Sequence, residues 1–175
     1  MEKINLPINY CWHAVYVKSR AEKKAEAELQ LMNIETFLPL HRKLRQWSDR
    51  KKWVEMPLIS GYLFVKICLK EYDAVLQSNY VVSYVRFEGK AAVIPEKQID
   101  YLKLMLKQDM LDIEITQGSF APGQMIDVIA GPLIGLHGKL VHVKGKSKVV
   151  VDLEQFGYSA AIEILTEDVR LSDID

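Results

Sequence analysis

Apolar positions recur at two periods through the first hundred residues, and each period marks a different element. Trp12 to Val17 (WHAVYV) is aromatic and β-branched, which predicts a buried strand. Ala21, Ala25, Leu29 and Met32 then recur at helical spacing in a stretch rich in Ala, Glu, Lys and Leu, so a helix is expected over 21–32. Ser19 is placed to cap this helix, with Glu22 three residues on as in a capping box, and Asn33 to stop it. A strand is expected from Glu35 to Leu40, ending near Pro39. The run HRKLRQWSDRKKW breaks the apolar pattern, and its Ser48-Asp49 pair is turn chemistry, so it reads as the tip of a long hairpin. Leu58 to Val65 is too continuously apolar for anything but a central strand. Residues 69–78 fit a short helix with Leu69, Tyr72 and Leu76 on one face, and Val81 to Phe87 fits a further strand. Pro95 suits the first position of a last helix, with Ile99, Leu102 and Leu106 turned inward. The order β–α–β–β–α–β–(α) predicts an α+β sandwich with helices packed on an antiparallel sheet.

After Gln108 the texture changes. DMLDIEITQGS is acidic and ends at Gly118-Ser119, which places a linker over 108–119. From Phe120 onward, short β-branched runs (MIDVIA, KLVHV, KVVVDL, AAIEIL) alternate with Gly-rich turns, which predicts a small five-stranded β-barrel over 120–175. Two domains follow, 10–107 and 120–175.

Charge sharpens that division. The net charge of zero conceals 18 Lys+Arg against 12 Asp+Glu in residues 1–108, a net of +6, and 5 against 11 in residues 109–175, a net of −6. A positive half can face nucleic acid, whereas a negative half is repelled by phosphate. Chemistry of other kinds finds no support. Cys11 and Cys68 form neither a disulfide framework nor a metal pair, and read as reduced core thiols. His13, His41, His137 and His142 show no ligand spacing, so no metal or cofactor is expected. No phosphate-binding loop, nucleophile elbow or carboxylate pair supports an enzyme. No apolar stretch approaches the ~20 residues of a membrane span. MEKINLPINY lacks the long apolar segment of a leader, so a cytoplasmic location is expected.

The most specific pattern lies in the second half: Gly123-x-x-Ile126-x-Val128-x-x-Gly131-Pro132-x-x-Gly135-x-x-Gly138. Gly131-Pro132 sets a tight turn, Gly135 and Gly138 suit positive φ or close backbone approach, and Ile126 and Val128 alternate into a core. This pattern resembles the KOW motif of NusG, Spt5 and certain ribosomal proteins, an SH3-like barrel. Trp12 to Val17, the helix after it, and Pro57-Leu58-Ile59-Ser60-Gly61-Tyr62-Leu63-Phe64-Val65 resemble the N-terminal domain of NusG. Together the two halves resemble the NusG/RfaH family of transcription elongation and antitermination factors. Pro57-Leu58, Val85-Arg86-Phe87 and Ala92-Val93-Ile94-Pro95 are similar to the specialised RfaH-like branch. Arg45-Gln46-Trp47-Ser48-Asp49-Arg50-Lys51 is similar to the Bacteroidetes antiterminators of capsular polysaccharide operons, the UpxY-like group.

The resemblance implies a factor that binds RNA polymerase and suppresses pausing or termination. Its N-terminal domain would lay an apolar patch on the clamp helices of the largest subunit, formed by Tyr16, Ile59, Tyr62, Tyr84 and Phe87. Phe64, by contrast, reads as core. Lys18, Arg20 and Lys24 would lie near non-template DNA, with Arg42, Lys43, Arg45 and Arg50 of the hairpin as a second basic surface. Trp47 and Trp53 are candidates to stack on an unpaired base. The KOW barrel would recruit a further partner, a ribosomal protein or Rho, and the factor is expected to be monomeric. The opposite domain charges raise weak electrostatic docking of barrel on N-terminal domain, and a refolding of the barrel stays open. Two rival readings are a general housekeeping NusG factor and a ribosomal-type RNA-binding KOW protein, the latter disfavoured by the acidic barrel.

Overall fold

The computed structural model describes residues 9–46, 50–108, 111–118 and 123–172, with the side chain of Arg45 excepted. Trp47, Ser48 and Asp49, expected at the hairpin tip, lie outside the described residues, as does Phe120 at the expected start of the barrel. Two compact units divide the chain: Met1–Leu38 with Ser60–Pro95, and Pro39–Ile59 with Glu96–Asp175.

The first unit begins with β1 (Cys11–Val17), α1 (Glu22–Leu31) and β2 (Glu35–Phe37). The second unit contributes the hairpin of β3 (Leu40–Gln46) and β4 (Lys51–Pro57). The chain then returns to the first unit with β5 (Tyr62–Ile67), α2 (Tyr72–Leu76), β6 (Val81–Tyr84), β7 (Arg86–Phe87), β8 (Lys90–Ala91) and β9 (Val93–Ile94). Its sheet runs β2-β5-β1-β6, all antiparallel, with β9 pairing the start of β1. β5 is central, as its apolar run requires: Leu63, Phe64 and Val65 are fully buried. Register fixes the two faces, because directly opposed residues share one. Trp12, Ala14 and Tyr16 stand opposite Lys66, Phe64 and Tyr62, so these six lie on one face. Trp12 meets Phe37 edge-on at 6.5 Å, and Phe37 stacks on Phe64 at 6.0 Å.

Helix α1 lies against β2 and β5 and buries Ala25 and Leu29. Met32, expected on that inner face, is exposed, because the helix ends at Leu31 and Asn33 turns out with φ 60°. Ser19 makes no cap; Ala21 occupies that position and Glu22 is used elsewhere. The helix expected over 69–78 is a 3-10 turn, Leu69–Glu71, followed by α2. Val75 is its buried residue, while Leu69 and Leu76 face solvent. The expected strand 81–87 breaks after Tyr84, and Phe87 belongs to the short β7–β8 hairpin. Glu88 and Gly89 close that hairpin at φ 51° and 81°, the twist that suits a two-residue turn.

The second unit continues with α3 (Glu96–Leu106), whose first residue follows Pro95 directly and which buries Ile99, Tyr101, Leu102 and Met105, Leu106 being only half-buried. Six strands follow: β10 (Ile113–Gln117), β11 (Gln124–Val128), β12 (His137–Val143), β13 (Lys146–Leu153), β14 (Tyr158–Glu163) and β15 (Val169–Leu171). They form one antiparallel sheet in the order β10-β14-β13-β12-β11-β15, six strands where five were expected. The sixth comes from the acidic stretch read as linker, where Ile113 to Gln117 pair with β14. Lys148, only 8% exposed, clips this edge strand across β14 by an ion pair of 2.5 Å to Glu114. Val149, Val150 and Val151 are all buried, and α3 lies against β13, which explains apolar residues on both faces of one strand.

The glycines of the KOW-like pattern act in two ways. Gly131 and Gly135 hold φ of 73° and 89° in the turn that delivers the buried Leu133 and Leu136. Gly138 serves close approach: a Cβ there would stand 2.2 Å from the carbonyl oxygen of Val150 on β13. Cys11 and Cys68 are free thiols, half-buried and buried.

Candidate binding site

The end of β1 assembles the densest set of candidate residues. Tyr16 is 39% exposed, and its ring lies 4.8 Å from that of the directly opposed Tyr62, tilted by 44°. The pair forms an aromatic ledge on a rigid strand, with little side-chain freedom left to lose on binding.

Two carboxylates of α1 hold the loops on either side of this ledge. Glu22 is 7% exposed, and its Oε1 accepts a 2.8 Å hydrogen bond from the backbone N–H of Gly61. The Gly61 carbonyl in turn accepts from the N–H of Val17 at 2.9 Å, so both backbone groups of the residue before Tyr62 are fixed. Its φ of 83° suits glycine there. Six residues along the helix, Glu28 accepts from the Ser78 hydroxyl, from the Asn79 N–H at 3.0 Å and from Asn79 Nδ2 at 2.7 Å. These donors, that of Ser78 first, hold its carboxyl below the usual carboxylate range. The loop so fixed offers the Tyr80 carbonyl to the N–H of Lys18 at 2.9 Å. Lys18 and Arg20 are thereby presented to solvent just beyond Tyr16, Arg20 with a φ of 58°, and Lys24 is exposed on the first turns of α1.

Two of the five expected patch residues do not present a surface. Tyr84 is 3% exposed because register pairs it with Val15, which puts it on the opposite face from Tyr16. There it stacks on Tyr72 of α2 at 4.1 Å and donates its hydroxyl to the Tyr72 carbonyl at 3.0 Å. His13 meets the Tyr84 ring edge-on, and burial pushes the His13 pKa down. Ile59 is 5% exposed and belongs to the core. Phe87 is 48% exposed at the tip of the β7–β8 hairpin. Phe64 is core, as expected.

The basic hairpin belongs to the second unit. Arg42, Lys43 and Arg50 are exposed, and the Arg45 side chain lies outside the described residues, as does Trp47. Lys43 Nζ lies 3.7 Å from Asp112, and Arg42 lies 3.8 Å from Glu55, the residue directly opposed to it. Trp53 is 58% exposed. Among the described residues no group of three or more His, Cys, Asp or Glu gathers as metal ligands, and no helix is long and apolar enough to cross a membrane.

The aromatic ledge and the fixed basic loops stand on a protein of the α+β class, built of antiparallel sheets with helices packed on them. Residues 10–103 match the family described as "Transcription termination factor nusG". The match covers 94 of 175 residues, and the chain belongs to the NusG family of transcription elongation factors. A structure of Thermotoga maritima NusG, titled for its domain interaction, aligns over 94% of this chain and 98% of that one, with 18% identity and a TM-score of 0.51; it shows the shared fold. The MjSpt4:Spt5 complex aligns over 91% and 95% with 19% identity, at a TM-score of 0.32. No curated protein matches the chain significantly.

Sequence reasoning missed Glu22 and Glu28. A glutamate on a helix signals solvation, and their backbone partners lie 39 and 51 residues away, beyond any local pattern.

Proposed function

We propose that this chain is an antitermination factor that rides on elongating RNA polymerase, suppresses pausing or termination, and serves polysaccharide biosynthesis operons. The region 10–107 binds the clamp helices of the largest polymerase subunit through Tyr16, Tyr62 and Phe87. Ile59 and Tyr84, both buried, take no part in the contact surface. Lys18, Arg20 and Lys24 face the phosphates of non-template DNA, a contact that positions without reading sequence. The barrel, 120–175, recruits a second partner, a ribosomal protein or Rho. No bond is made or broken; the factor works by binding, as a cytoplasmic monomer. One observation carries this reading: the Tyr16–Tyr62 ledge, in which Tyr16 is exposed between the buried Val15 and Val17 and the half-buried Tyr62 stands beside it. Aromatic anchors on a fixed scaffold are what a helix-binding interface requires.

The test is retention of purified factor on core RNA polymerase at physiological salt. The Tyr16→Ala/Tyr62→Ala variant is expected to bind about 30-fold more weakly or worse, the effect of losing one strong anchor or more. Circular dichroism checks its folding. Equal retention of the folded variant and wild type would remove the ledge from the interface, and failure of both to bind would end the polymerase reading.

A further inference from the structure

β10 ends its sheet. It pairs with β14 alone, so one row of its backbone groups meets no strand. Two hydrogen bonds identify that row. The Gly118 N–H donates to the Gly157 carbonyl at 2.9 Å, in the register that joins β10 to β14. The Ile164 N–H donates to the Ser147 carbonyl at 3.0 Å, so the even residues of β14 face β13 and the odd ones face β10. In an antiparallel pair the backbone groups face the partner at every second residue. Glu114 and Thr116 therefore bond β14, while Ile113, Ile115 and Gln117 turn N–H and C=O outward. Among the described residues no other backbone group bonds those three.

The outward row borders an open cleft of about 460 Å³. Residues 112–116 line it in succession, from both faces of the strand, as an edge does, and His41, Lys43 and Leu58 form the other wall. Burial pushes the His41 pKa down, which leaves it uncharged at neutral pH, and Lys43 is drawn to Asp112 at 3.7 Å. The edge itself is not blunted. No proline, bulge or lysine stands between Ile113 and Gln117, and its one charge, Glu114, is turned to Lys148.

We infer that the outer edge of β10 binds an extended, basic segment of another protein, which adds to the sheet as a seventh strand. Main-chain bonds to the outward row supply affinity, and alternate side chains supply specificity. One face of the added strand meets Ile115, half-buried beside the buried Ile113, and takes an aliphatic residue there. The other face meets Glu114 and Thr116. Charge selects the partner: residues 108–138 hold no Lys or Arg against Asp109, Asp112, Glu114 and Asp127, so a lysine or arginine between the aliphatic positions is the complement. An acidic edge repels its own copy, which makes a second copy of this chain the poorer occupant. The site lies outside residues 120–175 and uses neither Tyr16 nor Tyr62, so it goes beyond the reading above and stands without it.

The probe is a short peptide, capped at both ends, that alternates valine with lysine and threonine. It is titrated into isotope-labelled full-length protein at pH 7 and followed by nuclear magnetic resonance. Saturable shifts are expected at β10. Amide exchange should slow about tenfold or more at Ile113, Ile115 and Gln117, and change little at Glu114 and Thr116, whose N–H groups already bond β14. N-methylation of the peptide at one set of alternate residues should weaken binding about tenfold, and at the other set leave it unchanged, the signature of a single paired edge. Ile115→Pro removes one outward donor and spares the β14 ladder, so it should fold and bind about tenfold more weakly. Glutamate in place of lysine in the peptide should abolish binding. No saturable shift, shifts centred away from β10, or equal affinity of the two N-methylated peptides overturns the added strand; equal affinity of the glutamate peptide overturns the basic partner. Slowed exchange that rises with protein concentration and needs no peptide makes the edge a contact between copies and also overturns it. If Ile115→Pro does not fold, the N-methylated pair on the wild-type chain decides. No polymerase is present, so failure here leaves the Tyr16/Tyr62 test standing.

Discussion

Gly61 shows how one buried charge sets a surface. Its N–H and carbonyl are both spent, on Glu22 and on Val17, and Tyr62 follows immediately. Glu22→Ala leaves a turn donor without its acceptor inside the fold, at an expected cost of about 1–3 kcal/mol. Glu22→Gln keeps the acceptor oxygen and should recover most of that stability, together with polymerase retention. Urea denaturation of both variants alongside retention makes the check; a glutamine variant as damaged as the alanine one would mean the charge, not the hydrogen bond, is what counts. At this scale the sequence was partly legible. Tyr16 and Tyr62 declare themselves as aromatics beside a glycine, but Tyr84, equally aromatic, is buried by a register that no local pattern contains. Glu22 was visible as a helix-start residue, yet its acceptor role depends on a loop 39 residues distant.

Strands and helices were easier to read than their limits. β1, α1, β5, α3 and the valine-rich β13 all announce themselves by period and composition. β10 does not: its Ile113-Glu114-Ile115 alternation is a strand pattern, but acidic flanks and few residues disguised it as linker. What makes it a strand is partnership, with β14 through the backbone and with Lys148 through Glu114. That ion pair gives the edge a pH dependence. The hydrogen bond from Lys148 holds the Glu114 pKa below its ordinary 4.5, so the stabilisation is present at neutral pH and lost as pH falls below that value toward the lowered one. Hydrogen exchange, corrected for intrinsic rates, should show β10 amides losing protection between pH 6 and pH 3 before those of β13. Lys148→Met should remove this difference; if it persists, the clip does not hold the strand.

For the whole molecule, the charge division was plain from composition, whereas the compact units were not. β3, β4 and α3 group with the barrel sheet although they precede it in sequence, a matter of packing rather than pattern. The halves of +6 and −6 do not carry over to these units: residues 1–38 with 60–95 hold 9 Lys+Arg against 8 Asp+Glu, and residues 39–59 with 96–175 hold 14 against 15, so each unit is close to neutral. Static light scattering at pH 7 is therefore expected to give the monomer mass at 20 mM salt as at 0.3 M, where screening shortens the reach of charge to about 6 Å. A mass that rises at low salt would mean that the sequence halves, rather than the compact units, set the charge seen by a second molecule.

The placement of Glu22 and Glu28 on one helix makes this surface a single transplantable module. Because α1 grips residue 61 with one end and residues 78–79 with the other, the aromatic ledge and the basic corner are held by one shared clamp. A chimera that imports residues 18–31 from a relative, without the two loops they grip, strands donors on both sides of the ledge. A transplant of this surface has to carry all three segments at once.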